Sequence, residues 1–83
     1  MATYMDVHTG MKGITTEQLA AAHRADLAIE KDEGVHFQRA WADPVSGHVY
    51  CLSEAPSAEA VQRIHERTGH PAAEIHPVPI TVS

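Results

Sequence analysis

Glu74-Ile75-His76-Pro77-Val78-Pro79-Ile80-Thr81-Val82 places the last strand, and with it the topology. Its β-prone residues from Ile75 to Val82 predict a strand. Pro77 and Pro79 stand two residues apart, so their missing N–H groups fall on the same side of that strand. In the middle of a sheet, two partner carbonyls would be left unpaired. At an edge nothing is lost, so the last strand is an edge strand.

The preceding chain reads strand, helix, strand, strand, helix. A short β-prone run, Thr3 to His8, opens it. Thr15 with Gln18 three residues on forms a capping box, in which hydroxyl and side-chain amide satisfy each other's backbone N–H. Glu17 to Glu33 is rich in strong helix formers, with Leu19, Ala22, Ala25 and Ile29 near helical period. Gly34 stops this helix where a left-handed residue is wanted. Strands at Val35–Ala42 and His48–Ser53 flank Asp43-Pro44-Val45-Ser46-Gly47, a turn by composition. Ser57 caps a second helix whose buried stripe is Val61, Ile64 and Thr68, closed by Gly69. A βαββαβ chain with its last strand at the edge is the ferredoxin-like arrangement: an antiparallel sheet of order 4-1-3-2 with two helices on one face. Residues 1–83 form a single domain.

If Asp43 faces His48 across the hairpin, Trp41 faces Tyr50 and Arg39 faces Leu52. Strict alternation then puts Val35, Phe37, Arg39, Trp41, Tyr50 and Leu52 on one face. The small residues Ala40, Ala42, Val49 and Cys51 lie on the other, where helices pack. An aromatic sheet face without helices needs a partner, and a homodimer joined face to face is the simplest closure.

Composition narrows the chemistry. The net charge is −5, with 11 Asp+Glu against 6 Lys+Arg and no basic cluster, which argues against nucleic acid. No apolar run approaches the roughly 20 residues that cross a bilayer. No secretory leader pattern opens the chain and there is one cysteine, so a cytoplasmic location is expected. Against this background stand seven histidines, at 8, 23, 36, 48, 65, 70 and 76. No pair has the His-x-x-x-His spacing of a helix-borne zinc site, so any metal site must be assembled by the fold. The topology brings the end of strand one and the starts of strands three and four to one end of the sheet. Asp6 and His8, His48, and Glu74 and His76 are therefore expected to converge there as metal ligands. His36 and Glu54, paired at the other end of the hairpin, make a second candidate site. Cys51 is expected to be a buried, inert thiol. His65 sits at the margin of its helix stripe, and His23 with Asp26 shares a solvated helix face.

Thr15-Thr16-Glu17-Gln18-Leu19, the Gly34-Val35-x-Phe37 entry to strand two, and Tyr50-Cys51-Leu52-Ser53-Glu54-Ala55-Pro56-Ser57 carry a further signal. Over nearly its whole length the chain resembles a family of small bacterial proteins of ferredoxin-like fold, classed as a domain of unknown function, that includes a nickel-binding protein of Streptomyces. The resemblance implies Ni²⁺ as the metal, sequestration as the role and a dimer as the assembly. It implies no ligand residues; those above rest on topology. The alternative is a small dimeric α+β-barrel enzyme of the cofactor-free monooxygenase or isomerase type. Trp41, Tyr50 and Arg39 would line its organic-substrate pocket, with a histidine as general base.

Overall fold

The computed structural model describes residues 1–83. Its elements are β1 (Ala2–His8), α1 (Thr16–Ile29), a 3₁₀ turn (Glu30–Glu33), β2 (His36–Asp43), β3 (His48–Ala55), α2 (Ala58–Arg67) and β4 (Glu74–Pro77). The four strands form one antiparallel sheet of order β2-β3-β1-β4, the ferredoxin-like order expected from the prolines. Strand β4 is an edge, but it is shorter than its sequence suggests. It ends at Pro77, and one bond from Val78 N–H to the Thr3 carbonyl, 2.9 Å, continues the contact.

Local chemistry sets the helix boundaries. Gln18 N–H donates to Thr15 Oγ1 at 3.1 Å, and Thr15 N–H donates to Gln18 Oε1 at 3.0 Å. Ala60 N–H donates to Ser57 Oγ at 3.2 Å, capping α2. The first helix tightens into the 3₁₀ turn after Ile29 and ends at Gly34, φ +68°. Gly47 closes the hairpin turn at φ +80°. A Cβ there would come within 2.7 Å of the Lys12 nitrogen, because the loop after β1 runs directly over this turn.

Both helices pack on one face of the sheet. The core joins Val61 and Ile64 of α2 and Ile14 to Val35, Phe37, Val49 and Cys51, with Leu19 and Ile29 of α1 packed against it. The expected pairs Arg39–Leu52, Trp41–Tyr50 and Asp43–His48 are present. The expected face for Val35 and Phe37 is not. A bulge lies between Phe37 and Arg39, so that Phe37 pairs with Ser53 while Arg39 already pairs with Leu52. Gln38 is the extra residue. It breaks the alternation, so the two sides of the bulge point to opposite faces. Phe37 and Val35 are thus core residues, 3% and 4% exposed. The open face keeps Arg39, Trp41, Tyr50 and Leu52, joined by Met5 and Val7, which pair with Leu52 and Tyr50. No helix of the molecule is long and apolar enough to cross a membrane.

Candidate metal centre

The helix-facing side of the sheet carries an uncommon set of polar residues. Alternation along β1 turns Asp6 and His8 inward, and Asp6 pairs with Cys51 in β3. From above, α2 adds His65, one residue after the core residue Ile64 and four after Val61, so it lies inside the stripe. Helix α1 adds Asp26, its one buried residue. His70 follows from the loop after α2.

These side chains form a continuous buried chain. His65 Nε2 lies 3.0 Å from Asp6 Oδ2 and its Nδ1 lies 3.4 Å from Asp26 Oδ1. His8 Nε2 stands 2.7 Å from Asp6 Oδ1 and 3.9 Å from Cys51 Sγ. The His8–Asp6 contact is close but not aligned as a hydrogen bond, and Asp6 Oδ1, His8 Nδ1 and His65 Nδ1 lack aligned partners. His70 Nε2 lies 3.3 Å from Asp26 Oδ1, which also accepts from the Thr68 hydroxyl at 2.9 Å. Asp6 and His65 are fully buried, and His8 is 5% exposed. A cavity of ≈ 30 Å³, lined by His8, Cys51, His23, Asp26 and His70 among apolar residues, adjoins the cluster.

The charge state follows from this pairing. Burial alone would lower the His65 imidazole, but the Asp26 and Asp6 carboxylates on its two sides outweigh it and push it up to about 11. Burial likewise opposes His8, and the adjacent Asp6 carboxylate, with the Cys51 sulfur beside it, pushes it up to about 9. Burial alone would raise both carboxylic acids, yet the His65 ring between them, joined by His8 at Asp6, holds both below the usual range. In the metal-free chain, two imidazoliums and two carboxylates therefore neutralise one another inside the core. Charges of this kind survive burial only when paired.

The ligand set expected from topology is divided by the pleat. His8 and Asp6 face the helices. Glu74 pairs with Val7 and His76 with Met5, so both face the opposite, open side. There they form a solvent-exposed pair, His76 Nε2 to Glu74 Oε1, 2.8 Å. His48 is on the open face too, but two strands away, and its Nδ1 lies 3.2 Å from Tyr50 Oη. His36 does stand opposite Glu54 in the ladder. The Glu54 carboxylate, however, takes the amide of Gln38, and the carboxylate beside His36 is Glu30, at 3.7 Å. A shared end of a sheet is thus not a shared site.

His65 and Asp26 stand outside the ligand set expected from topology, and His70, near Glu74 and His76 in the chain, turns instead onto Asp26. Asp26 is not part of a solvated face, and Ala25, placed in the apolar stripe, is exposed. The usable signal was spacing: Leu19, Ala22, Asp26 and Ile29 keep helical period, as do Val61, Ile64, His65 and Thr68. Cys51 is buried on the helix side, as expected, but it faces an imidazole.

Comparison with known proteins gives a consistent answer. No curated protein sequence matches. Among solved structures, the crystal structure of SCO4226 from Streptomyces coelicolor A3(2) superposes with a TM-score of 0.95 at 69% sequence identity. The match covers 98% of this chain and 100% of that one. Residues 4–78 match the family described as nickel responsive protein SCO4226-like. With nearly the whole chain matched in sequence and in fold, the protein belongs to the nickel responsive SCO4226-like family.

Proposed function

We propose that this protein binds Ni²⁺ and sequesters or buffers it in the cytoplasm, as a homodimer. The family's nickel responsiveness supports the choice of metal. The observation that carries the reading is the pairing of imidazole with carboxylate in solvent. His76 and Glu74 stand 2.8 Å apart, with side chains 55% and 58% exposed. An ion reaches this pair without any movement of the core, and waters complete its coordination. His36, with Glu30 beside it at 3.7 Å, offers a second such place on the β2 edge. His48 adds a donor on the open face. Imidazole and carboxylate together suit nickel, and by the Irving–Williams order they bind Cu²⁺ at least as well. Selectivity in the cell then comes from metal availability.

Calorimetry with Ni²⁺, Cu²⁺ and Mg²⁺ tests this. Wild-type protein is expected to bind Ni²⁺ at micromolar affinity, Cu²⁺ at least as tightly, and Mg²⁺ not measurably. His36→Ala combined with His76→Ala removes the nickel heat and leaves the thermal melt of the apo protein unmoved. Equal, weak heats for all three ions would sink the proposal. Imidazole binds metal only when neutral, so nickel binding also weakens on acidification. The enzyme alternative would seat an organic substrate against Trp41, Tyr50 and Arg39, none of which lines the ≈ 30 Å³ cavity beside the inner cluster.

A further inference from the structure

The geometry points to a second, internal metal site at Asp6, His8, Cys51 and His65, built for a tetrahedral ion of the zinc type. It is separate from the open-face donors and does not depend on them. One donor atom from each of the four residues lies within 4.8 Å of the other three, and all four residues are buried. A zinc ion with bonds of about 2.0–2.3 Å sets its donors roughly 3.3–3.7 Å apart. The contacts here, 2.7 Å from Asp6 Oδ1 to His8 Nε2, 3.0 Å from Asp6 Oδ2 to His65 Nε2 and 3.9 Å from His8 Nε2 to Cys51 Sγ, bracket that range.

Two independent features point to a ligand. Asp6 Oδ1 is fully buried, stands beside His8 Nε2, and has no aligned hydrogen bond. An ion at the centre satisfies it. Asp26 stands 3.4 Å from His65 Nδ1, on the far side of the ring from Asp6, close to it but not aligned as a hydrogen bond. That is where metal-bound histidines carry an outer carboxylate, which fixes the tautomer and strengthens the ligand. One thiolate, two imidazoles and one carboxylate form a softer set than the open-face pairs, and thiolate ligands select zinc over harder ions. The cavity lined by Asp26, His70, His8 and Cys51 supplies the way in, with the His70 side chain 25% exposed at its rim. On binding, the ion takes the place of one proton on each of His8, His65 and Cys51, and these three protons are released to solvent.

Cobalt serves as the spectroscopic probe. Untagged full-length protein receives Co²⁺ both after folding and during refolding. The expected result is one Co²⁺ per chain with intense tetrahedral bands in the red and a thiolate-to-cobalt charge-transfer band in the near ultraviolet, both displaced by Zn²⁺. Cys51→Ser loses the charge-transfer band, whereas His36→Ala with His76→Ala keeps it while losing nickel. Failure of this site is thereby distinguished from failure of the surface sites. Weak octahedral bands under both loading conditions, or an unchanged spectrum in Cys51→Ser, would overturn the assignment. If Cys51→Ser does not fold, zinc-edge X-ray absorption on the wild type decides. A sulfur shell at about 2.3 Å supports the site, and a shell of nitrogen and oxygen alone refutes it.

Discussion

His65 is the residue on which the interior turns. It neutralises Asp6 on one side and Asp26 on the other, with no exposure to water. His65→Leu keeps the volume but leaves two buried carboxylates short of a partner, so the apo protein should lose about 3–5 kcal/mol in urea unfolding. A loss within ~1 kcal/mol of zero would mean that the cluster is not ionised. The same pairing dictates a pH dependence. His65 and His8 have folded pKa values of about 11 and about 9, raised from the ordinary 6.5. Their contribution is therefore complete below pH 6.5, declines above it as the unfolded histidines lose their protons, and is gone once pH passes the folded values. Asp6 and Asp26 are lowered, so their contribution is present above about pH 3.8 and is lost on acidification below that. The apo protein should melt at its highest temperature in mildly acidic solution and at a falling temperature from pH 6.5 to 9. His65→Leu should flatten that fall. A melting temperature level across this range in the wild type would contradict the raised values.

At the level of elements, the boundaries were legible because they rest on contacts only a few residues long. Thr15 with Gln18, Ser57 with Ala60, and Gly34 at positive φ each act within one turn. The bulge at Gln38 was not legible. Strict alternation puts Phe37 with Trp41, and nothing local in His36-Phe37-Gln38-Arg39 announces an extra residue. Its cause is tertiary. Phe37 packs beside the His65 ring, centroids 5.2 Å apart, and its N–H donates to Glu30 Oε2 at 2.9 Å, which draws the strand's start toward the helices. Deleting Gln38 should force either Phe37 or Trp41 onto the wrong face. The expected outcome is loss of the cooperative thermal transition; a deletion variant that melts as the wild type does would show the bulge to be dispensable. Phe37→Ala, which keeps the register, should cost about 3–5 kcal/mol in urea unfolding.

For the whole molecule, the sheet is covered on one side only. Trp41 remains 40% exposed on the open face, with the Arg39 guanidinium 5.9 Å from its ring, and Tyr50 and Leu52 pair with these two. An apolar face of this kind suits a second copy of the chain. Trp41→Glu should convert a dimer into a monomer in sedimentation at micromolar concentration. A variant that sediments as the wild type does would place the interface elsewhere. The order of elements, their caps, the edge position of β4 and thereby the ferredoxin-like topology are all written along the chain. Each depends on local backbone geometry or on a missing N–H, and these are properties of neighbouring residues. Which histidines meet is settled by packing alone. Topology had placed Asp6, His8, His48, Glu74 and His76 at one end of the sheet, but the pleat sends successive residues to opposite faces. The helices then complete the inner cluster with His65 and Asp26, which stand 59 and 20 residues from Asp6 in the chain. Such partners are brought together by packing, and no spacing along the chain encodes them.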